Sequence, residues 1–399
     1  MKIAILYSHL KELGGVENVI LKQSELLRER GHNVKCYFAY VDKRSPKNLI
    51  NPRGYIKSYF NSLIPHNEAI RIILSIPLAP LALPLFSDAE VLLCHGYGSA
   101  PWIGYNLKKM KGTGYISYVH FPPRFIYLEP EMRKLWRFNS TRSLIYGFSK
   151  VAKPLLKKLD YVSILSSDKV LVNSQFTAQR VKAIYGVQPL VCYPPVNTSV
   201  FKLLDSETVK KARSRFGWPL ILSTGRIVPI KRWEWLIKMM PHITRVFPSA
   251  TLAITGEVSR ENIRYVQKLI QLADDLGIKG NVKFLGFRSL SELAELYNAA
   301  DVYAYPVPNE DFGLGPVEAM ACGAPAVVWD DGAGPCETVV HGKMGFRAKP
   351  YDLKDFSEKI LDAISMGKED MCEATVGFVR ENFSCERHLD VLEDALNQN

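Results

Sequence analysis

Apolar and polar residues alternate along this chain in blocks. Short, mostly apolar runs at 3–7, 33–40, 90–94, 114–119 and 169–172 are bounded by turns or by polar stretches, and they read as buried strands of parallel sheet. Residues 16–30 carry a helical spacing, with Arg28 and Arg30 in the last turns and Gly31 closing the segment. The pattern stops at Tyr193-Pro194-Pro195-Val196 and a polar, charged stretch continues through Arg215. Prolines and polar residues mark a domain connection there. A second alternation follows. Strands are predicted at 219–223, 250–255, 281–287, 302–305 and 325–329, and helices at 231–246, 259–276, 291–300 and 316–322. In the 259–276 segment Ile263, Val266, Ile270 and Ala273 share one face and Gly277 closes it. Two successive β-α-β-α blocks predict an α/β protein with two doubly wound sheets, and a cleft between such domains is a natural ligand site.

Composition narrows the class. A chain of 399 residues is too long for one ordinary core, and 47% apolar with 23% charged residues excludes a disordered chain. Seven scattered cysteines include no C-x-x-C pair, which supports neither a zinc site nor a disulfide framework. They read as buried thiols of a reducing compartment. The opening run at 2–7 is too short for a signal peptide's apolar region and reads as the first strand.

The net charge of +11 points to a polyanionic partner, either nucleic acid or an anionic membrane surface. Between Arg124 and Lys158 nine basic residues face two acids, with Phe125, Tyr127, Trp136, Phe138 and Tyr146 interleaved. Basic and bulky apolar residues together suit a membrane surface. A solvated helix face over a core-facing one is the plainer alternative. Residues 69–86 form the most apolar stretch, but Pro77, Pro80 and Pro84 break any long helix, so a buried connection or an interfacial patch fits better than a transmembrane span.

Three segments carry chemistry. After the first strand, Gly14-Gly15 opens a helix, where backbone amides can approach a phosphate; glycine there also serves simple turn sterics. The second block opens with Ser223-Thr224-Gly225-Arg226 and continues to Lys231-Arg232. Arg226 and Lys231 can clamp a diphosphate, or can be ordinary surface charge. Third, Glu310-Asp311-Phe312-Gly313-Leu314-Gly315-Pro316-Val317-Glu318 joins a strand end to a helix start, where ligands bind in α/β proteins. Gly315 and Pro316 suit the N-cap and N1 positions, which makes Glu318 an N3 acid. Such an acid either favours the helix dipole or holds a ribose. Glu310, before a glycine-rich turn, has less structural work available to it.

Taken in order, Gly14-Gly15, a strand-end His120, Gly225-Arg226 with Lys231, and Glu310-x7-Glu318 resemble the retaining GT-B glycosyltransferases of family 4. The resemblance covers nearly the whole chain and continues through Pro335-Cys336-Glu337-Thr338-Val339 and Gly342-Lys343-Met344-Gly345-Phe346. His120-Phe121-Pro122 and Leu171-Val172-Asn173-Ser174-Gln175-Phe176-Thr177 are locally similar to mannosyltransferases that build lipid-linked oligosaccharides.

This resemblance implies two Rossmann-like domains facing a cleft. Residues 1–197 would bind acceptor and 198–379 the nucleotide sugar, with a C-terminal helix at about 380–399 packing back on the first. It implies transfer of a hexose, mannose favoured, from a GDP- or UDP-sugar to a lipid-linked glycan, without a metal, since no Asp-x-Asp pair is present. Glu310 and His120 would be catalytic. Gly14, Gly15, Arg226, Lys231, Gly313, Leu314 and Gly315 would hold the diphosphate, Glu318 the ribose, with Phe287 and Arg288 near the base. It also implies a cytoplasmic protein peripheral on the membrane. Arg232 departs from the family, which often carries glycine there, and Glu257 stands where a small residue is common.

Other readings fit less well. A nicotinamide dehydrogenase needs G-x-G-x-x-G after the first strand, and Gly14-Gly15 lacks that spacing. A nucleic-acid binder shows no recognised module. A non-catalytic binder on the same fold would have no need of Glu310, Arg226, Lys231 and His120 together.

Overall fold

The computed structural model describes residues 1–10, 14–41, 56–59, 75–127, 140–259 and 262–398. The chain divides into two compact units, Met1–Pro195 with His388–Asn399, and Val196–Arg387.

The first unit is built on a seven-stranded parallel sheet. Its strands are β1 (Lys2–Leu10), β2 (Asn33–Val41), β3 (Ile56–Ser58), β4 (Val91–His95), β5 (Gly114–Val119), β6 (Lys169–Val172) and β7 (Leu190–Val191), in the order β3-β2-β1-β4-β5-β6-β7. Ile5 pairs with Cys36 on one side and Leu93 on the other, and all three are fully buried. That burial is why these strands are near-continuous apolar runs. Helices α1 (Gly15–Glu29), α2 (Ser99–Lys111), α3 (Ser140–Leu165) and α4 (Gln175–Tyr185) connect the strands. In α1 the apolar residues Val19, Ile20, Leu26 and Leu27 are buried at helical spacing, together with the polar Glu17, Gln23 and Ser24. Ser174 caps α4 by accepting from the Thr177 amide at 2.9 Å.

The second unit holds a six-stranded parallel sheet: β8 (Leu220–Thr224), β9 (Thr251–Thr255), β10 (Val282–Gly286), β11 (Val302–Tyr305), β12 (Ala326–Trp329) and β13 (Gly345–Ala348), ordered β10-β9-β8-β11-β12-β13. Its helices are α5 (Trp233–Val246), α6 (Ile263–Asp275), α7 (Leu290–Ala299), α8 (Leu314–Ala321), α9 (Leu353–Met366) and α10 (Lys368–Phe383). Trp233, Leu236, Ile237, Met240 and Ile243 of α5 pack with Trp329, Phe356 and Ile360 in one core.

Both sheets are doubly wound, as the block pattern predicts. In each, the strand order reverses once, between β1 and β4 and between β8 and β11. Ligands of such sheets sit outside the carboxyl ends of the strands at that reversal.

The C-terminal region differs in detail from one helix at about 380–399. α10 ends at Phe383, Ser384 is extended (φ −66°, ψ 160°), and α11 (Cys385–Asn397) begins anew. Residues 79–86 form a 3-10 helix that buries Ala82, Leu83 and Phe86 and leaves Leu81 and Leu85 exposed. Residues 69–74 of the apolar stretch, and 128–139 of the basic one, lie outside the described residues. Among the described residues no helix is long and apolar enough to cross a membrane.

Candidate active site

At the reversal in the second unit, β8 ends in Thr224-Gly225-Arg226 and β11 ends in Tyr305. The loop after β8 carries Lys231 and the loop after β11 carries Glu310. The two meet: Lys231 Nζ lies 2.7 Å from Glu310 Oε2, and Tyr305 Oη is 2.9 Å from both. Burial, reinforced by the charge of Glu310, holds the Tyr305 phenol well above its usual range, so it stays protonated and donates to the carboxylate. Lys231 donates to both oxygens and the triangle is closed. A cation, an acid and a neutral hydroxyl thus converge at the strand ends. A dianionic group arriving here finds an ammonium whose one ionic partner among the described residues is the Glu310 carboxylate, partly exposed like the lysine itself.

Glu318 sits on α8, and its setting corrects the sequence reading. The helix begins at Leu314 with Gly313 as N-cap (φ 84°, ψ 82°), not at Pro316 with Gly315 as N-cap. Gly313 alone tolerates that left-handed turn at no cost. Pro316 fits the first turn because an amide there has no intrahelical acceptor. Glu318 is therefore the fifth helical residue and cannot cap. It accepts from Tyr297 Oη at 2.9 Å. Tyr297 lies within 2.9 Å of Thr224 Oγ1, and Thr224 Oγ1 within 2.9 Å of Tyr303 Oη. With Glu318 ionised, the chain of hydroxyls donates in one direction, from Tyr303 through Thr224 and Tyr297 to the carboxylate. Burial pushes the Glu318 carboxyl up to about 7, with the Tyr297 bond pulling the other way. Gly315 has a packing reason to be glycine: a Cβ there would stand 2.2 Å from the Tyr303 hydroxyl.

The other predicted residues fall in three places. Gly225 and Arg226 follow β8, where Arg226 is exposed and its carbonyl accepts from Trp233 Nε1 at 3.2 Å. Arg232 occupies left-handed space (φ 58°, ψ 38°), a conformation that glycine adopts freely and arginine does not, with its guanidinium over the Trp235 ring. Phe287 and Arg288 follow edge strand β10, two strands from β8; Phe287 is exposed and Arg288 pairs with Glu292. In the first unit, Gly14 is the N-cap of α1 and its amide donates to Glu17 Oε2 at 3.1 Å, so a phosphate at Gly14-Gly15 competes with a carboxylate already in place. His120 follows β5 and is buried, its Nε2 2.9 Å from His95 Nδ1.

Sequence reasoning missed Thr224, Tyr297, Tyr303 and Tyr305 as members of the site, and missed His95. One signal was available: Tyr303 and Tyr305 alternate within a fully apolar strand, which puts two hydroxyls on one face beside the Glu310 loop.

Residues 13–200 match the family described as Glycosyltransferase Family 4, and residues 206–375 the family described as Glycosyl transferases group 1. The D-inositol 3-phosphate glycosyltransferase of Mycolicibacterium smegmatis is 31% identical over 205 residues, which are 50% of this chain and 45% of that one. The match thus spans less than half the length of that relative. The fold is shared along the full chain with Anabaena HepE in complex with UDP, at 20% identity and a TM-score of 0.78 with 100% of both chains covered. Sucrose-phosphate synthase from Thermosynechococcus elongatus also has a TM-score of 0.78, at 18% identity over 100% of this chain and 98% of that one. With family matches running from residue 13 to residue 200 and from 206 to 375, and this fold around both sheet reversals, the chain belongs to the GT-B glycosyltransferases of family 4.

Proposed function

We propose that the protein is a retaining hexosyltransferase that moves mannose from a nucleoside diphosphate sugar to a hydroxyl of a lipid-linked glycan or glycolipid. The observation that carries the reading is the meeting of Lys231, Tyr305 and Glu310 at the sheet reversal, with Glu318 on the adjoining helix. The barrier in such a transfer is to build oxocarbenium character at the anomeric carbon while a diphosphate leaves, so charge placement and positioning supply most of the catalysis.

Lys231 and Arg226 neutralise the leaving diphosphate, which assigns to side chains the work a metal does elsewhere. The amides of Gly313, Leu314 and Gly315 at the start of α8 add to it. Glu318 accepts the ribose hydroxyls. Glu310 contacts the transferred sugar, and arrival of the diphosphate draws Lys231 from it. His120 contacts the sugar or the acceptor, Gly14-Gly15 serve as a further backbone anion contact, and Phe287 and Arg288 border the base. Mannose and a lipid-linked acceptor rest on the local similarity at 120–122 and 171–177.

Membrane association rests on the net charge and on α3, where Lys157 and Lys158 are exposed beside exposed Leu155, Tyr161 and Leu165. The reading places the protein on the cytoplasmic face of a membrane.

A second reading, transfer from a UDP-hexose to a soluble acceptor or polysaccharide, is favoured by the UDP complex of Anabaena HepE. A thermal-shift panel of GDP, UDP and ADP separates them, because a ligand that binds the folded state raises Tm by mass action. Stabilisation by GDP, with slow hydrolysis of GDP-mannose in the absence of acceptor, supports the first reading. Stabilisation by UDP alone moves the assignment to the second. No response to any of the three overturns both.

A further inference from the structure

A cluster of three buried histidines in the first unit has no counterpart in the sequence reading. His95 ends β4, His120 follows β5 and His388 lies on α11; they are 0%, 3% and 2% exposed. The rings of His95 and His120 lie near-parallel, 25° apart with centroids 5.2 Å apart, and the Tyr118 ring packs on both. Burial holds all three imidazoles far below their usual range, His120 at about 3 and His388 at about 4, so each is neutral and carries one N–H.

The tautomer of His388 follows from its neighbours. Its Nδ1 lies 2.6 Å from the Tyr193 carbonyl oxygen, which only accepts, so the proton is on Nδ1 and Nε2 accepts from the Gln23 amide at 3.0 Å. His388 has no proton left to lend its neighbours.

The His95–His120 bond joins His95 Nδ1 to His120 Nε2 at 2.9 Å and admits two arrangements. If His120 donates, His95 carries its proton on Nε2. That atom is buried with no hydrogen-bond partner among the described residues, so an N–H would be orphaned there. If His95 donates, its Nε2 is a bare acceptor. Orphaned buried N–H groups are the rarer of the two defects. The second arrangement leaves the His120 proton on Nδ1, the ring nitrogen outside the pair.

We infer that His95 is a positioning residue: its Nδ1–H donates to His120 Nε2 and fixes His120 as the Nδ1–H tautomer, so that His120 offers substrate oxygens a hydrogen-bond donor rather than a base. The inference rests on the proposed contact of His120 with sugar or acceptor, and it goes beyond that contact by fixing its polarity. A donor at that position stabilises negative charge or orients a hydroxyl; it takes no proton from the acceptor. That work falls to another group.

The test compares His95→Ala, His95→Asn and His120→Ala with the wild-type chain. The Asn side-chain N–H can stand near the place of the imidazole Nδ1–H, so His95→Asn retains most of the turnover. His95→Ala lowers kcat roughly 10- to 100-fold, by analogy with groups that orient metal-ligating imidazoles, with KM for the nucleotide sugar little changed. In ¹⁵N-histidine spectra, assigned by the signals lost in His120→Ala, His120 is expected with a protonated Nδ1 and a bare Nε2. Finding the proton on Nε2 overturns the tautomer assignment, and wild-type kcat in His95→Ala overturns the positioning role. Should His95→Ala fail to fold, the spectrum of the wild-type chain and the kcat of His95→Asn still decide, because loss of turnover in a folded Asn variant contradicts the donor argument. Wild-type turnover in His120→Ala removes the proposed sugar contact, while the ring spectrum continues to test the pair.

Discussion

Glu318→Gln perturbs the site at one proton. Burial raises the folded carboxyl from its ordinary 4.5 to about 7. Between those values the folded chain binds more protons than the unfolded chain does, so stability falls as pH rises. The contribution is whole below pH 4.5 and is lost as pH climbs through about 7. Two and a half pH units at about 1.4 kcal/mol each set an upper bound of about 3.5 kcal/mol, and the exposed surface the side chain keeps lowers the real value below it. Glutamine has no such titration. Urea unfolding of both proteins between pH 5 and pH 8 is therefore expected to show the variant gaining on the wild type as pH rises, by up to about 2.5 kcal/mol. Binding adds a linked effect. In the proposed contact, ribose hydroxyls donate to the ionised carboxylate, so nucleoside diphosphate binding is expected to draw Glu318 toward ionisation and release a proton. Calorimetry in buffers of different ionisation enthalpy is expected to detect that proton near pH 7 with wild type and to lose that component in Glu318→Gln. Parallel pH profiles for the two proteins in both stability and affinity refute the reasoning.

Glu310→Ala is expected to fold and to lose most of its turnover; near wild-type turnover removes its proposed contact with the reacting sugar. Arg232→Ala and Arg232→Gly both lose the Trp235 contact but only glycine relieves the left-handed backbone, so Ala should be the less stable by about 1 kcal/mol in chemical unfolding. Turnover is expected to survive EDTA, because Lys231 and Arg226 are assigned the charge of the diphosphate; loss on chelation with recovery in Mg²⁺ or Mn²⁺ contradicts that. Binding to anionic vesicles should weaken with salt, and equal binding to neutral vesicles removes the electrostatic argument.

Much of the fold was legible because its signals are local. Strands β5 and β11 are short apolar runs closed by turn residues, and burial on both faces of a parallel sheet imposes that composition wherever the strand ends up. β13 escaped notice because Gly345–Ala348 draws its strand character from pairing with β12, not from its own four residues. The start of α8 was misplaced by two residues for a similar reason. Proline and glycine in 313–316 permit several N-caps, and the backbone angle at Gly313 selects one.

The sequence by itself determined the spacing of Glu310 and Glu318, the glycines between them, and the two runs of alternating strands and helices; these are properties of neighbours along the chain. Only the tertiary structure decided what the acids face. Setting β11 beside β8 brings Lys231 and Tyr305 to Glu310 across 79 and 5 positions of sequence, and Tyr297 to Glu318 across 21. His95 meets His120 in the same way, through the pairing of β4 with β5. Hydrogen bonds between side chains hold over about 3 Å whatever the intervening length of chain, so local pattern names the groups and the order of the strands chooses their partners.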